Sequence, residues 1–336
     1  MAEREGEPQS GEDRLIARYF RPLATEPGAL GLLDDAATIT PPPGSDVVLK
    51  TDAVVAGVHF FPDDPPDMIA KKALRVNLSD LAAKGASPAG FLLSLVLPQA
   101  LGADWLEAFA RGLGEDARAY RCPLMGGDTD RTPGPLTISI AAFGIVPSGT
   151  MVRRSGARPG DRVVVTGTIG DAALGLLMRR DPDTATRWRL DPRQRDHLLE
   201  RYLLPQPRNA LAQALRLHAA AAMDVSDGLV GDLGKLCAVS GVGAEIEVAR
   251  VPLSDAARKA LGSDPTLVET ALTGGDDYEV VATVPAGARD ALMAAAQAAG
   301  VALTEIGVVR ADRPGAHFLD HGGKALMFKK TSFSHF

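Results

Sequence analysis

Helix-type and strand-type patterns of apolar residues alternate along the whole chain. Within residues 66–84, Leu74, Leu78 and Leu81 recur at spacings of three and four, which predicts a helix with one apolar face. Asp80 lies beside this stripe, on a face of small and polar residues. We therefore expect the leucines to anchor the helix and Asp80 to point toward either a polar cavity or water.

Short β-rich runs provide the expected strands. The run at 47–49 ends at Thr51 and Asp52, which places Asp52 at a strand terminus, a good position for a ligand-binding side chain. The Gly-Gly-Asp sequence at 126–128 is expected to form a turn, because paired glycines permit close approach of the backbone to a ligand. Further strands are predicted at 137–146, 162–166, 244–249, 278–284 and 301–309.

Helices are expected throughout the chain as well. The first should be capped by Ser10 and run to Phe20. Others are predicted at 105–120, 171–180, 193–203, 207–217, 228–239 and 287–299. Both halves of the chain therefore mix helices and strands, which makes the fold class α/β or α+β.

A basic, turn-rich stretch at 153–161 separates two halves of the chain. A length of 336 residues favours about two domains. We predict a flexible tail over residues 1–11, a first domain over 12–150 and a second domain over 151–336.

The composition is that of an ordinary globular protein, with 46% hydrophobic and 23% charged residues. A net charge of −6 predicts no general attraction to nucleic acid or to an anionic membrane. The N-terminal segment lacks the apolar core of a signal peptide, and the richest apolar stretch, at 91–97, is too short to span a membrane. Cys122 and Cys237 form no CxxC pair, which disfavours a zinc site and a disulfide framework and fits a reducing cytoplasm best.

Six short acidic motifs are scattered along the chain, many of them beside glycine or serine. They are LDDAA at 33–37, KTD at 50–52, NLSD at 77–80, GGD at 126–128, DVSDG at 224–228 and GGDD at 274–277. Carboxylates are hard oxygen ligands that hold Mg²⁺, and Mg²⁺ in turn holds phosphates that carboxylates alone would repel. Together the motifs predict one phosphate site, rich in Mg²⁺, that folding assembles.

Each motif taken alone also has a structural explanation. Asp34 and Asp35 are typical of a solvated turn, and Thr51–Asp52 is typical of a turn or a helix cap. DVSDG precedes a predicted helix, where it serves either as a cap or as an anion site, and GGDD is also typical of a strand entry. His59 is either a partly buried structural residue or a ligand contact, and Arg154 is either solvated or a phosphate clamp.

Covalent catalysis is disfavoured by the residues available. The six histidines show no HExxH or HxH pattern, and neither a Ser-His-Asp nor a Cys-His arrangement is visible along the chain. The GxxxxGK[ST] loop of the P-loop kinases is not present either.

A series of longer motifs follows in order along the chain: LDDAA, KTD and then GVHF, NLSDLAAKGASP, GGDTDR, RRSGARPGD, VTGTIGD, DVSDGL, GGDDYE and a closing Phe-Ser-His-Phe. In this order they resemble the motifs of the thiamine-monophosphate kinases, from about residue 12 to the last residue. The resemblance implies a two-domain fold like that of aminoimidazole-ribonucleotide synthetase. Its N-terminal α/β domain would bind ATP and metal and dimerise through its sheet, and a second α/β domain would follow.

The resemblance also implies roles for individual residues. The implied magnesium ligands are Asp35, Thr51, Asp52, Asp80, Asp128, Asp224 and Asp227. The implied ATP contacts are Gly127, Asp128, Arg154 and Ser226, with Arg154 a candidate for stabilising charge on the transferring group. The implied contacts to thiamine monophosphate are His59, Asp276 and Phe333.

Three positions depart from the family pattern. Leu33 stands where glycine commonly precedes the first Asp pair, Lys50 replaces a frequent serine or threonine, and Asp276 replaces a frequent glutamate. Lys50 either displaces one metal with its own positive charge or leaves the site intact because only its backbone is used. Asp276 is one methylene shorter than glutamate, which shortens its reach toward a substrate.

The implied reaction is direct, in-line transfer of the γ-phosphoryl group of ATP to thiamine monophosphate, the last step of thiamine diphosphate biosynthesis, with several Mg²⁺ ions and a homodimeric enzyme. The attacking phosphate oxygen is already anionic, so no general base is required. Two alternatives stay open at this point. One is another ATP-dependent enzyme of the same superfamily, such as aminoimidazole-ribonucleotide synthetase, and the other is a non-enzymatic divalent-cation-binding protein.

Overall fold

The computed structural model of the protein describes residues 11–333. The expected cap Ser10, almost all of the predicted tail and the last three residues of the closing motif lie outside this range. The chain divides into two compact units. The first runs up to Asn77 and continues over Pro88–Ile145, and the second comprises Leu78–Ser87 and the residues from Val146 onward. The predicted boundary near residue 150 stays a prediction.

The first unit is built around a four-stranded sheet with the order β1-β4-β2-β3, in which β2 and β3 are parallel. Before the sheet, helix α1 passes into a π-helical turn at Ile16–Phe20, and 3₁₀ turns follow at Arg21–Leu23 and Pro27–Leu32. The elements are α1 Gly11–Leu15, β1 Ser45–Val55, α2 Pro66–Ala83, β2 Ser87–Pro98, α3 Ala103–Ala119, β3 Leu124–Thr132 and β4 Thr137–Pro147. Helix α2 begins in the first unit and ends in the second.

Strand alternation gives the first sheet two different faces, because successive strand residues point to opposite sides. In β2 and β4, Leu93, Leu95, Ile138 and Ile140 are buried. On the opposite face apolar side chains are left in contact with solvent: Val47 is 38% exposed, Leu49 72% and Leu92 37%.

The second unit contains a six-stranded sheet with the order β10-β7-β9-β5-β8-β6. Only the β10–β7 pair is parallel among the pairs in this sheet, which all lie in the described part of the chain. The strands are β5 Arg162–Thr166, β6 Ala221–Val225, β7 Gly243–Glu247, β8 Glu279–Val284, β9 Leu303–Arg310 and β10 Gly315–Leu319. The helices are α4 Asp171–Arg180, α5 Thr184–Arg187, α6 Pro192–Leu203, α7 Ala212–His218, α8 Leu229–Ser240, α9 Asp255–Ser263, α10 Leu267–Thr273 and α11 Arg289–Ala298.

Both faces of the second sheet are covered by apolar cores. Val163 and Val165 of β5 belong to a core that includes α8, whereas Val164 between them belongs to a core that includes α7 and α11. A third cluster joins α4, α6 and α9. A sheet buried on both faces explains why its strands read as apolar runs in the sequence rather than as alternating patterns.

Most of the predicted elements are confirmed. The bounds of five predicted helices and five predicted strands agree with the observed bounds to within two residues. The helices are those at 66–84, 105–120, 171–180, 193–203 and 287–299, and the strands are those at 137–146, 162–166, 244–249, 278–284 and 301–309. The helix expected at 207–217 begins only at Ala212, after a 3₁₀ turn. Strands β2, β6 and β10 and helices α9 and α10 were not predicted, because short apolar runs do not distinguish a strand from a helix.

Two local predictions were wrong. Asp52 lies inside β1, which continues to Val55, rather than at a strand terminus. The Gly-Gly-Asp sequence lies inside β3 rather than in a turn. Gly127 has φ +159°, and a Cβ there would lie 1.9 Å from the carbonyl oxygen of Leu93, its partner in β2. The glycine is therefore required by close approach of a neighbouring strand.

Across residues 11–333, no helix combines the length and apolar character needed to cross a membrane. Cys122 and Cys237 are free and buried. Burial raises the pKa of the Cys122 thiol to about 12 and that of Cys237 to about 11, so both stay protonated near neutral pH.

Candidate active site

The first unit contains a cavity of about 740 Å³ on the exposed face of its sheet. Asp35 and Asp128 both line it, together with the glycines that precede Asp128. Asp34 lines it too, and its Oδ1 accepts a hydrogen bond from the amide of the next residue, Asp35, at 2.8 Å. Folding thus brings two of the implied metal ligands, 93 residues apart in the chain, to the wall of one cavity.

Asp52 lies in β1 with an internal counter-ion. The Lys50 ammonium is 3.1 Å from Asp52 Oδ1, because residues two apart in a strand point to the same face. The two side chains are 27% and 40% exposed. The side chain of Lys50 is therefore engaged with Asp52, while Thr51 between them points to the other face and is exposed.

His59 is held by a local turn after β1. Its Nδ1 accepts a hydrogen bond from the amide of Val55 at 3.0 Å, and its own amide donates to the carbonyl of Val55 at 2.9 Å. An Nδ1 that accepts leaves the proton of the neutral ring on Nε2. The imidazole thus has a structural role in this turn, and its ring is only partly exposed.

In the second unit, the DVSDGL and GGDDYE motifs form one pair of interlocked loops. They follow β6 and precede β8, which are antiparallel neighbours with Val225 opposite Glu279. The amide of Asp276 donates to the carbonyl of Ser226, and that of Tyr278 to the carbonyl of Val225, both at 2.8 Å. The residues singled out in two motifs, about 50 positions apart, therefore meet at one edge of the sheet.

The GGDDYE loop is held in an unusual backbone conformation. Asp276 and Tyr278 have φ values of +63° and +49°, in the left-handed region that costs non-glycine residues about 1–3 kcal/mol each. Gly275 has φ +77°, and a Cβ there would lie 2.4 Å from the carbonyl of Ser226. The close approach of the two loops thus fixes where the Asp276 side chain is presented.

Helix α8 supplies a second set of charges to the DVSDGL loop. Asp232, fully buried, accepts hydrogen bonds on Oδ2 from the amides of Ser226 and Asp227 at 3.0 and 2.9 Å. The ammonium of Lys235 then lies 2.5 Å from Asp227 Oδ2 and 2.9 Å from Asp232 Oδ1. Asp232 is therefore the anchor of the loop, and Lys235 is the counter-ion of both carboxylates.

Burial and these contacts shift the pKa values of Asp232 and Lys235. Burial raises the pKa of Asp232 despite the hydrogen bond from Lys235. Burial alone would lower the pKa of Lys235, but its hydrogen bonds to Asp227 and Asp232 outweigh burial, and its pKa is raised. The ammonium of Lys235 thus remains charged at the loop.

Two further implied ligands, Asp80 and Asp224, are buried, at 8% and 3% exposure. Asp224 is the penultimate residue of β6, and Asp80 lies in the last turns of α2. Those turns are fixed within the second unit, because the ammonium of Lys84 donates to the carbonyl of Ala222 at 2.8 Å. The backbone carbonyl of Arg154 accepts a hydrogen bond from Ser240 Oγ at 3.2 Å, and the residue is exposed.

The last residue of the GGDDYE motif, Glu279, is the centre of a buried ionic network that the sequence did not predict. Glu279, fully buried, accepts from Arg201 at 2.8 Å, from Thr166 Oγ1 at 2.6 Å and from both Nε and Nη2 of Arg208. Gly167 is required beside it, because a Cβ there would lie 2.1 Å from Glu279 Oε1. A bidentate arginine and a second cation compensate the buried carboxylate.

Asp277 joins this network to the VTGTIGD motif. Both of its carboxylate oxygens accept from the amide of Gly170, at 2.9 and 3.0 Å. Burial, and next the negative charge of Asp171, raise the pKa of Asp277 well above its usual range. The VTGTIGD and GGDDYE motifs are thus two halves of one support, and Asp276, next to the buried Asp277, is half-buried.

Asp171 is also the centre of a hydrogen-bonded group. It accepts from Ser254 Oγ at 2.5 Å, from Thr168 Oγ1 at 2.6 Å and from His197 Nε2 at 3.0 Å. Burial opposes ionisation of Asp171, but these three hydrogen bonds outweigh it and lower its pKa. Ser254 donates to the aspartate rather than to the histidine, so the group is not a nucleophilic triad.

Among residues 11–333, no three side chains of His, Cys, Asp or Glu type lie together as a ready-made metal site. The donors instead occur singly or in pairs, as Asp35 and Asp128 do on the cavity wall. Mg²⁺ commonly takes only one or two protein carboxylates and completes its six oxygens with waters and phosphates. Carboxylates distributed in this way fit metals that arrive with a nucleotide.

The two halves of the chain match two family models. Residues 33–146 match the AIR synthase related protein, N-terminal domain, and residues 158–320 match the AIR synthase related protein, C-terminal domain. The chain is also 45% identical to the thiamine-monophosphate kinase of Caulobacter vibrioides, over 87% of this chain and 82% of that protein. The chain belongs to the thiamine-monophosphate kinase family.

Solved structures agree with this family membership. The thiamine-monophosphate kinase of Stenotrophomonas maltophilia K279a has a TM-score of 0.81 and 41% identity, over 94% of this chain and 96% of that one. A structure of AaThiL complexed with AMPPCP and TMP has a TM-score of 0.75 and 30% identity, over 92% and 97% of the two chains. The predicted two-domain α/β fold is confirmed, and the two alternative functions are not favoured.

Within this family member, sequence reasoning missed several residues that shape the site. Asp232 and Lys235 follow Asp227 by five and eight residues, and only the folded helix shows that both face the loop. Arg201 and Arg208 come from a part of the chain without a recognised motif. The roles assigned to individual ligand residues remain predictions.

Proposed function

We propose that this protein transfers the γ-phosphoryl group of ATP to the phosphate of thiamine monophosphate, which yields thiamine diphosphate and ADP. The observation that carries the proposal is membership of the thiamine-monophosphate kinase family over nearly the whole chain, including a relative in complex with AMPPCP and TMP. ATP is thus the co-substrate, and thiamine monophosphate is the acceptor.

The reaction joins two anionic phosphates, so the main barrier is charge repulsion rather than proton transfer. The acceptor oxygen is already ionised near neutral pH, and no general base is needed. Catalysis then depends on positioning and on charge stabilisation. Direct transfer without a phosphorylated enzyme follows from this chemistry.

We place several Mg²⁺ ions among the carboxylates of the two units. Bound Mg²⁺ would neutralise phosphate oxygens and orient ATP and the acceptor. In the first unit the proposed ligands are Asp35, Thr51, Asp52 and Asp128. In the second unit they are Asp80, Asp224 and Asp227. The presence of Asp35 and Asp128 on one cavity wall supports the first group.

The remaining proposed roles concern the organic substrates. Gly127, Asp128, Arg154 and Ser226 would contact ATP, with Arg154 stabilising charge on the transferring group. His59, Asp276 and Phe333 would contact thiamine monophosphate. The partial exposure of Asp276 and the 46% exposure of Phe333 are consistent with these roles.

We also propose that the protein is a homodimer that pairs through the exposed face of its first sheet. Val47, Leu49 and Leu92 leave apolar surface on that face, and burial of such surface favours association. We further propose that the boundary between the two domains lies at residues 150/151 and that the protein is cytoplasmic. The buried free thiols of Cys122 and Cys237 are compatible with a reducing compartment.

A substrate comparison tests the function. ADP release is measured with ATP and Mg²⁺ in the presence of thiamine monophosphate, free thiamine or aminoimidazole-pathway substrates. We expect release only with thiamine monophosphate, together with formation of thiamine diphosphate. Turnover with an aminoimidazole-pathway substrate alone, or metal binding without any ADP release, would contradict the proposal.

A further inference from the structure

The last described stretch of the chain, residues 320–333, is called the C-terminal arm here. It begins with a turn in which the Asp320 side chain accepts backbone amide hydrogen bonds at 2.8 and 2.9 Å. The amide of Leu326 then donates to the carbonyl of Phe318 in β10 at 2.8 Å. These contacts reverse the chain and direct the C-terminal arm back over the second unit.

Two anchors fix the middle of the C-terminal arm. The Phe328 ring packs edge-on against Phe318, with 5.7 Å between ring centroids and an angle of 89°, and it adjoins the apolar core beneath α8. The backbone amide of Lys329 donates to Glu269 Oε1 of α10 at 2.7 Å. The middle of the arm is thus held by an apolar contact at Phe328 and a charge-assisted hydrogen bond at Lys329.

The end of the C-terminal arm reaches the DVSDGL loop. The amide of Phe333 donates to the carbonyl of Asp227 at 2.9 Å. The Phe333 side chain is 46% exposed, so the backbone of this residue is fixed while much of its ring remains accessible. The aromatic residue therefore lies beside a loop that carries proposed nucleotide and metal contacts.

This end of the C-terminal arm packs against Gly231 in helix α8. A Cβ at Gly231 would lie 2.4 Å from Ser332 Cβ and 2.9 Å from the carbonyl oxygen of Thr331. Glycine is a poor helix former, so its presence in a helix calls for a packing reason, and the arm supplies one. Gly234, one turn later in the same helix, has no neighbouring atom within 4 Å of the corresponding position.

We infer that Gly231 is a positioning residue for the acceptor substrate: it lets the C-terminal arm dock on α8 and so places Phe333 at the thiamine monophosphate site. The inference rests on the proposed function, because it assigns a cause to the position of a proposed substrate contact. A methyl group at residue 231 would lift residues 331–332 away from the helix. Phe333 would then lose its fixed distance from Asp227 while ATP-binding residues stay in place.

Gly231→Ala and Gly234→Ala form a matched pair of variants for the test. Both add one methyl group to the same helix and raise its helix propensity, but only the first meets the arm. We expect Gly231→Ala to raise KM for thiamine monophosphate roughly 5- to 20-fold, with KM for ATP nearly unchanged. Gly234→Ala should leave both constants within about twofold of those of the unmodified protein.

Two additional variants separate docking of the arm from damage to the helix. Ser332→Gly removes the nearest atom of the arm, so combining it with Gly231→Ala should restore part of the lost affinity. Glu269→Ala removes the anchor of Lys329 on α10 without changing α8, and it should raise KM for thiamine monophosphate in the same direction. Hydrogen exchange at the Phe333 amide should accelerate in both Gly231→Ala and Glu269→Ala, while thermal denaturation shows that Gly231→Ala remains folded.

Equal kinetic constants in Gly231→Ala and Gly234→Ala, or a fall in kcat with unchanged KM, would overturn the inference. Unchanged exchange at the Phe333 amide in Gly231→Ala would do the same. The unmodified protein provides the separate test of the proposed function. If it fails to phosphorylate thiamine monophosphate, the proposed function falls; if it succeeds while the two glycine variants behave alike, only the role of Gly231 falls.

Discussion

The ammonium of Lys235 lies 2.5 Å from Asp227 Oδ2 and also contacts Asp232, so a proposed metal ligand carries its own positively charged neighbour. The first unit repeats this arrangement, with Lys50 3.1 Å from Asp52. Each lysine neutralises a carboxylate that would otherwise repel other acidic groups or a phosphate. If Mg²⁺ binds at Asp227 and Asp52 as proposed, each lysine would compete with it for the same carboxylate oxygens.

Replacing Lys235 by methionine tests this competition. We expect the Mg²⁺ concentration for half-maximal activity to fall, because Asp227 is released, and direct Mg²⁺ binding by calorimetry to strengthen. The free energy of unfolding should drop by roughly 1–3 kcal/mol, since the buried carboxylate of Asp232 loses a charged partner. Lys259→Met, on the exposed surface of α9, is the control. Weaker Mg²⁺ binding in Lys235→Met would argue against competition.

Asp128→Asn tests the acidic wall of the first-unit cavity. The change keeps the shape of the side chain but removes its charge, and we expect kcat to fall about 10²-fold or more because a proposed metal ligand is weakened. Steady-state kinetics over a range of Mg²⁺ concentrations provides the measurement. Asp104→Asn in the first turn of α3 makes the same chemical change at an exposed site. Normal turnover of Asp128→Asn at saturating Mg²⁺ would refute its role.

Phe333→Ala tests the aromatic contact itself. Stacking on a ring of thiamine stabilises ground and transition states alike, so we expect a higher KM for thiamine monophosphate with little change in kcat. Met327→Ala in the same arm, where the side chain is 91% exposed, should leave both constants unchanged. A decrease confined to kcat would show that Phe333 acts in the chemical step instead.

Gly127→Ala tests the explanation of the Gly-Gly-Asp motif. The new Cβ would lie 1.9 Å from the carbonyl of Leu93, so β2 and β3 must separate locally, and we expect a loss of roughly 2–4 kcal/mol in the free energy of unfolding. At Gly126 the nearest atom is the end of the flexible Leu92 side chain, at 3.2 Å, so Gly126→Ala should be much milder. Denaturant titration compares the two variants, and equal stability would disprove the steric account.

The His197–Asp171 pair predicts a pH dependence of stability. The hydrogen bond to Asp171 raises the pKa of His197, with opposition from burial and from Arg201 and support from Glu200. Because the pKa of His197 is higher in the folded than in the unfolded protein, protonation of His197 stabilises the fold. This stabilisation is complete at pH values below the unfolded-state pKa and is lost as pH rises through the folded-state pKa. The folded-state pKa of Asp171 is lowered, so the stability that the ionised Asp171 contributes is lost as pH falls through this lowered pKa. The ion pair with His197 is lost with it on the acid side.

His197→Gln therefore should destabilise the protein more at about pH 5.5 than at about pH 8.5, since only the imidazolium carries the extra interaction. Denaturant titrations of the unmodified protein and the variant at both pH values give the difference directly. A stability loss that is the same at both values would assign His197 a purely neutral hydrogen bond.

The resemblance of the motifs to those of a known family predicted more about the protein than the spacing of apolar residues did. The order and length of the motifs predicted the two-domain fold and the reaction of the family, and both agree with the comparisons. Apolar spacing predicted α2 and α4 and strands β4 and β5 because each buries a regular set of positions. These properties are local, so a linear sequence expresses them.

The sequence did not determine why several motif residues are required. The Gly-Gly-Asp sequence reads as a turn, yet Gly127 is needed for strand pairing, and the VTGTIGD motif provides the support for Glu279 and Asp277. Strand β6, which carries Asp224, was hidden in a short apolar run. In each case the deciding contact joins residues far apart in the chain.

The sequence by itself thus determined which chemical groups this protein has and, through their order, the family to which it belongs. Tertiary structure decided how those groups are used. It places the Lys235 ammonium beside Asp227, and it buries Asp277 next to Asp276. It also packs the C-terminal arm, which carries Phe333, against Gly231. The physical reason is the distance along the chain over which each kind of interaction acts. Propensity and periodicity act within a few residues, whereas ion pairing, desolvation and steric fit depend on partners that only the folded chain brings within about 3 Å.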